Sequence, residues 1–520
     1  MRSILDQVRH WTIYKPNKIM VYDRDSTFTY GQIFDRAKRF AGGLKKLGVK
    51  KGMRVGALMF NHYRWYDLYY GLAAAGCILV PVNYRLAGPE ILYQLNDSGC
   101  KVLIFDPEFA KVVEDIKGSL KIIEHFVSGG KEMPFPGIID YDELLDADPL
   151  EEDVTENDVF GIYYTGGTTG LAKGVVLTHK NIIANAFNLC VHINLGRDHL
   201  AMHAAPMFHL ADGASNFAVT LTGGQHVCVR AFDPLAVLKT IQQYKVTCAV
   251  LVPTMINMLI NHPDVGKYDL SSMKLIWYGA SPIAPDVLKR AIDIFTCGFC
   301  QLYGMTEAGP VVTVLLPEDH IVNPDDPKSM RKLRAAGRVI TGVQIRVVDD
   351  DGKDAKPGGV GEVYARGNNI MQGYWAKPIE TEQVLTREGW YQTRDLAEID
   401  EEGYIYIVDR AKDMIISGGE NIYTVEVENV IYKHPAVLEA AVIGVPDDKW
   451  GEVVKACVVL KSGISAKEED IINFCKTQIA SYKCPKSIDF LDAIPKSGAG
   501  KIVKRELRER YWKGYVRRVG

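Results

Sequence analysis

Phe160-Gly161-Ile162-Tyr163-Tyr164 runs into Thr165-Gly166-Gly167-Thr168-Thr169-Gly170-Leu171-Ala172-Lys173-Gly174, and the reading of this stretch decides the fold. The first five residues are a short apolar run of strand type. Glycines then let the backbone turn tightly and leave amides facing outward. Three threonines add hydroxyl donors and Lys173 adds a cation. Outward amides, hydroxyls and an ammonium together form a cradle for a polyphosphate. The P-loop is the obvious competitor, but it requires Gly-Lys-Ser/Thr, and Lys173 stands between Ala172 and Gly174. Val175-Val176-Leu177 continues as strand, so the spacing predicts strand, loop, strand, and a helix only from about His179. A plain hairpin turn is the bland alternative.

Working outward, the first third alternates helix and strand signals. Ile33, Phe34, Ala37, Phe40, Ala41, Leu44 and Leu47 recur at helical spacing, with Gly48 as a stop. Arg54 to Phe60 reads as a strand, Trp65 to Ala75 as a helix, Cys77 to Val82 and Val102 to Phe105 as buried strands. The rhythm returns with a helix over Phe232 to Tyr244, a strand over Cys248 to Val252, a helix over Asp286 to Phe295 and a strand over Gly298 to Leu302. Short apolar runs between amphipathic helices predict parallel sheets covered on both faces. From Gly337 to Ile407 closely spaced turn signals predict antiparallel strands. After Asp409 a compact α/β unit follows. Val427, Val430 and Ile431 mark one helix, Ala440 to Val445 and Lys455 to Leu460 read as strands, and Ser465 with Glu468 suggests a capping box for a helix through Ala480. The fold expected is α/β: a large N-terminal domain (1–409) of two doubly wound sheets plus a β-rich subdomain, and a small mobile α+β C-terminal domain (410–520).

The 520 residues carry a formal charge of -3, are 47% hydrophobic and 24% charged, and so read as an ordinary globular chain rather than a disordered one. Phosphate-backbone binding needs a clustered excess of Lys and Arg, so nucleic acid is not an expected partner. Charges interrupt the amino terminus early, and the uncharged stretch Leu68 to Tyr84 contains Gly71, Gly76 and Pro81; neither a signal-peptide core nor a membrane span is expected. Ten cysteines without a secretion signal suggest reduced thiols and a cytoplasmic protein. Cys297 and Cys300 read as core cysteines on a strand, because residues three apart on a strand face opposite sides.

Four further segments occur in order: Tyr303-Gly304-Met305-Thr306-Glu307, Trp390-Tyr391-Gln392-Thr393-Arg394-Asp395, Asp409-Arg410-Ala411-Lys412-Asp413, and Pro495-Lys496-Ser497-Gly498-Ala499-Gly500-Lys501. Together with Tyr164 to Gly174 they resemble the core motifs of the adenylate-forming superfamily, which holds acyl-CoA synthetases, amino-acid adenylation domains and beetle luciferases. The resemblance covers nearly the whole chain. It implies a carboxylate attacking the α-phosphorus of ATP to give an acyl-adenylate and pyrophosphate, then a thiol expelling AMP. That chemistry gathers negative charge on phosphoryl oxygens and so needs cations and preorganised donors.

By resemblance, Thr165, Gly166, Gly167, Thr168, Thr169, Gly170 and Lys173 would hold the outer phosphates, Thr306 would contact the α-phosphate, and Glu307 would ligate Mg²⁺, a suitable hard-oxygen ligand. Gly279, Ala280, Ser281 and Tyr303 would enclose the adenine, and Asp395 with Arg410 would bind the ribose. Lys501 would be the adenylation lysine. Because it would obstruct an incoming thiol, the small domain would rotate about Lys412 and present Ser417, Gly418 and Gly419 to the pantetheine arm of CoA. Met207, His209, Tyr278, Gly304 and Gly309 would line the acyl pocket. His209 stands where amino-acid-activating relatives carry Asp, so a fatty, aryl or alicyclic acid is expected rather than an amino acid; His209 could also gate the pocket. Four departures from the family pattern stand out. Gly166 replaces a usual Ser, Ala172 a usual Pro, Thr424 a common Pro, and Arg394 a common Gly, where it could pair with Asp395 or a CoA phosphate. The reading is an ATP- and Mg²⁺-dependent acid–CoA ligase, with a homodimer as the candidate assembly. A luciferase-type oxygenase and a non-catalytic nucleotide-binding regulator are its rivals; Lys173, Glu307, Asp395 and Lys501 together argue against the latter.

Overall fold

The computed structural model describes residues 1–513 apart from 131–134, 166–170, 194, 282, 284, 323–324, 411–412, 418–419, 448–449 and 498–499, with only the backbone of 410 and 421. Strand Val159–Thr165 occupies the first apolar run, and Lys173–Thr178 returns antiparallel to it, with Thr165 opposite Lys173 at the end of the ladder. Helix His179–Ile193 begins at the next residue. The described residues therefore follow the predicted order of strand, second strand and then helix, with a strand rather than a helix after Lys173.

In the first large sheet the strands lie in the order Gly373–Tyr374, Lys173–Thr178, Val159–Thr165, Ile78–Pro81, Arg54–Leu58, Cys100–Phe105, His125–Ser128, Ile138–Asp140. Neighbours are parallel from Val159–Thr165 onward and antiparallel at the glycine-rich end. The second large sheet is parallel through its centre, where Gly298–Gly304, Leu275–Gly279, Cys248–Val250, Leu200–His203, Gln225–Cys228 and Ile19–Asp23 lie side by side. Helix Arg64–Ala75 packs between the sheets. Every residue from Trp65 to Ala75 is buried, and the one charge among them, Asp67, is paired with Arg36 at 2.6 Å. Tyr69 meets Phe160 of the first sheet, and Tyr66 meets His203 and His226 of the second.

The turn-rich segment forms an antiparallel sheet of Val343–Val348, Val360–Gly367, Tyr391–Ile399 and Ile405–Arg410. Beyond it, Ile415–Ser417, Glu420–Ile422, Val437–Asp447, Gly451–Leu460 and Ser487–Phe490 build a smaller sheet flanked by helices Thr424–Ile431, Glu468–Lys476 and Lys504–Arg508. The expected capping box at Ser465 is corrected. That helix starts at Glu468 and ends at Lys476, and Asp470 accepts the backbone N–H of Lys467 at 3.0 Å, so the reciprocal bond sits two residues later. Cys297 and Cys300 are both free thiols, but only Cys300 is a buried strand residue as expected; Cys297 is half-buried and precedes strand Gly298–Gly304, which corrects its placement on the strand. Among the described residues no helix is long and apolar enough to cross a membrane.

Candidate active site

Three motifs meet in pairs around two tyrosines. The short strand Gly373–Tyr374 pairs with Lys173–Thr178, placing Tyr374 opposite Val175. Its ring lies under the Lys173 ammonium, 5.1 Å from the centroid, and its hydroxyl donates to Glu307 Oε1 at 3.1 Å. Burial, then the Glu307 charge, pushes the Tyr374 phenol well above its ordinary range, so it stays a neutral donor. The cation of the glycine-rich hairpin and the buried carboxylate of the second motif thus stand on one tyrosine. The second tyrosine is Tyr303, whose hydroxyl donates to Asp395 Oδ2 at 2.9 Å. Asp395 is buried and stands opposite Arg410 across the antiparallel ladder.

Thr306 and Glu307 ride on a tight 3-10 turn, Thr306–Ala308, closed by Gly309 in the left-handed conformation (φ 65°). Strand Gly298–Gly304 enters it and Val311–Leu315 leaves it antiparallel. Gly304 permits their closest approach: a Cβ there would sit 1.9 Å from the Pro310 carbonyl oxygen. Asparagine amides pin the turn from outside. Asn369 donates to the carbonyls of Ala308 (2.7 Å) and Val311 (3.2 Å), Asn185 to Val311 (3.0 Å), and Asn181 to Asn368 and Ile370 (2.8 Å each). Met371 N–H closes onto the Glu307 carbonyl at 2.9 Å.

Gly279, Ala280 and Ser281 lie at and just beyond the end of strand Leu275–Gly279, where Gly279 is level with Leu302 of the neighbouring strand. Ala280 adopts φ 68°, a conformation that costs an L-residue about 1–2 kcal/mol. Arg394 does the same at φ 62°, which explains why glycine suits that position. Its side chain goes to Glu362 (3.5 Å) and the Gln383 carbonyl (2.8 Å), and its backbone N–H also meets Glu362 at 3.0 Å. The expected pairing of Arg394 with Asp395 is thus replaced: the left-handed backbone carries the guanidinium to Glu362.

On the acyl side, Met207 is buried, its N–H donating to Asn61 Oδ1 (2.8 Å) and its carbonyl accepting from the Tyr69 hydroxyl (2.7 Å). The two N–H groups of the Asn61 amide are shared among the carbonyls of Ala205 (2.8 Å), His203 and Val229 (3.1 Å each), so one side chain ties these strand ends together. His209 is half-buried and caps helix Leu210–Leu221, Nδ1 accepting from the Ala211 N–H at 3.1 Å. Burial, reinforced by the nearby Lys501 charge, pushes its pKa down to about 3, so the imidazole is neutral at working pH. Tyr278 is fully buried and bonds His320 Nε2 at 2.8 Å. Lys501 closes a turn in which Ser497 N–H meets the Lys501 carbonyl at 2.7 Å and Lys501 N–H meets Ser497 Oγ at 3.2 Å. At Gly500 a Cβ would lie 3.3 Å from Val252 and 3.4 Å from Thr254, so the carboxy-terminal loop is seated against the start of helix Pro253–Ile260, just beyond strand Cys248–Val250.

Ser417 ends strand Ile415–Ser417, opposite Glu420. Gly166, Gly167, Thr168, Thr169, Gly170, Lys412, Gly418 and Gly419 lie outside the described residues. Sequence reasoning missed Tyr374, Asn61, Asn181, Asn185 and Asn369. Asn181 and Asn185 carried a usable signal: amides four residues apart, on a helix face otherwise apolar, must find partners when buried.

Residues 8–375 match the family model described as AMP-binding enzyme, and residues 426–501 match its C-terminal domain. A feruloyl-CoA synthase of an Amycolatopsis species is 39% identical over 95% of this chain and 96% of its own length. The long-chain-fatty-acid–CoA ligase FadD13 of Mycobacterium tuberculosis is 36% identical over 98% and 99%. Among solved structures, the anthranilate CoA ligase AuaEII in complex with anthranoyl-AMP superposes with a TM-score of 0.90 at 27% identity, covering 98% of this chain and 97% of that one. The chain belongs to the AMP-binding enzyme family.

Proposed function

We infer that the paired motifs run a two-step ligation. The protein is an AMP-forming acyl-CoA synthetase: it activates a carboxylic acid with ATP as an acyl-adenylate, then transfers the acyl group to the CoA thiol. The observation that carries the assignment of roles is the seating of the Lys501 loop against Val252 and Thr254, close enough for its charge to act on His209. Lys173 and Lys501, far apart in the sequence, would then serve one nucleotide. Lys173 would meet the outer phosphates with Thr165 and the loop from Gly166 to Gly170. Lys501 would draw the substrate carboxylate toward the α-phosphate, and Thr306 would donate to that phosphate. Tyr303 and Gly279 to Ser281 would hold the adenine; Asp395 and Arg410 would hold the ribose.

The residues suit Mg²⁺. Glu307 is a single buried hard-oxygen donor, oriented by the Tyr374 hydroxyl, and this ion takes one or two carboxylates together with phosphates and waters. When bound it would neutralise charge on the phosphates.

Met207, His209, Tyr278, Gly304 and Gly309 would border the acyl group. A neutral His209 offers no fixed anion for an ammonium, and Met207, Leu210, Val252 and Val311, which would surround the acyl group, are buried and apolar, which favours a fatty, aryl or alicyclic acid. After adenylation the part beyond residue 409 would swing about Lys412, removing Lys501 and bringing Ser417, Gly418 and Gly419 to the thiol's path. The test is Lys501→Ala. Acid-dependent pyrophosphate exchange should fall on the order of 10²–10³-fold, with thioester formation from synthetic acyl-adenylate largely kept. Equal loss in both steps would refute the roles.

A further inference from the structure

Thr424 makes hydrogen bonds to a residue on the other side of residue 412, and its surroundings give that contact a use. It is the first residue of helix Thr424–Ile431 and is fully buried. Its backbone N–H donates to Asp409 Oδ2 at 2.6 Å and its hydroxyl to Asp409 Oδ1 at 3.1 Å. The same hydroxyl accepts from the Lys504 ammonium, which also pairs with Glu428 Oε1 at 2.8 Å. Lys504 opens helix Lys504–Arg508, three residues after Lys501, and the far end of that helix is tied by Arg508 to Asp413. Asp409 belongs to the antiparallel sheet before residue 412; Thr424, Glu428 and Lys504 come after it. A proline at 424 would have neither the N–H nor the hydroxyl.

We propose that Thr424 is a positioning residue for the adenylation half-reaction: with Asp409, Lys504 and Glu428 it forms a latch across the hinge that keeps the Lys501 segment seated at the site. The proposal rests on the two-step reading above. A swing about residue 412 separates Asp409 from Thr424, so the latch favours the arrangement that serves the first step and must open for the second. A buried carboxylate accepting two hydrogen bonds from one residue, one shared with an ammonium, is a strong local tie. Its removal therefore shifts the balance between arrangements and leaves the chemical groups at the site untouched.

Thr424→Pro is a clean perturbation. Proline is favoured at the first helical position, and Tyr423 before it already sits at φ -84°, ψ 120°, the extended region a pre-proline residue needs. The variant is expected to lose about 10-fold in acid-dependent pyrophosphate exchange, with thioester formation from synthetic acyl-adenylate unchanged or faster. Thr424→Ser keeps both donors and should restore exchange to within twofold of wild type. Tryptic cleavage after Arg410 or Lys412 supplies a readout independent of activity: Thr424→Pro should be cut about 5-fold faster than wild type and Thr424→Ser at the wild-type rate. Parallel loss of both half-reactions, or unaltered exchange and cleavage in Thr424→Pro, would overturn the latch. Wild-type protein without exchange on any acid would instead overturn the ligase roles, and the cleavage rates alone would then decide the latch.

Discussion

Gly304→Ala tests whether the turn bearing Thr306 and Glu307 is held as tightly as its geometry requires. The new Cβ would start 1.9 Å from the Pro310 carbonyl oxygen, 2.9 Å from its carbon and 3.0 Å from the Val311 Cα. All three are backbone atoms, so no side-chain rotation relieves them. Relief needs a separation of the two strands by roughly 1 Å or more, in an interior too dense to absorb it without strain of about 1–3 kcal/mol. The strands enclose the turn, so Thr306 and Glu307 move with them. A misplacement of about 1 Å at a reacting centre costs on the order of 10²-fold, or about 2.7 kcal/mol of barrier. The assay is acid-dependent pyrophosphate exchange, with amide hydrogen exchange to verify that the sheets persist. Gly118→Ala is the control, because nothing lies within 4 Å of its added Cβ. If folded Gly304→Ala keeps exchange within threefold of wild type, the turn is not the rigid platform described here.

Tyr374→Phe removes the donor to Glu307 and should lower adenylation about 10-fold, in line with a lost hydrogen bond of about 1.4 kcal/mol to a charged group; a change under twofold contradicts the anchoring role. At position 394, Gly should be more stable than Ala by about 1 kcal/mol by chemical denaturation, since both variants keep the backbone bond to Glu362 and lose the side-chain one, and only Ala keeps the left-handed penalty; equal stabilities would show the φ of 62° to be unstrained. Buried His179 has its pKa pushed down to about 4 by burial, against an ordinary 6.5. Unfolding lets it bind a proton below pH 6.5, so its contribution is full above that value and is lost as pH falls toward 4. Stability should drop by about 2 kcal/mol between pH 8 and pH 5 on its account, and His179→Asn should lose correspondingly less over the same range; identical losses by urea titration would contradict this sign.

Much of the molecule is legible locally. The alternation of apolar runs and amphipathic helices predicts the parallel sheets, because period and burial are properties of neighbouring residues. Val175-Val176-Leu177 correctly places a strand before helix His179–Ile193. The Ser465 capping box failed because several polar residues near that helix could cap it, and packing of the small sheet selected Lys467 and Asp470.

What the sequence determined by itself is the strand and helix grammar and the order of five charged or glycine-rich motifs, for these depend on residues adjacent along the chain. Which of those groups touch was decided only by tertiary structure. Tyr374 reaches Glu307 across 67 residues and Tyr303 reaches Asp395 across 92, because strand order in the sheets, rather than spacing along the chain, brings their side chains together. The same holds for Arg394, diverted to Glu362 by a left-handed backbone, and for Lys501, whose place beside His209 depends on how the carboxy-terminal loop packs on Val252.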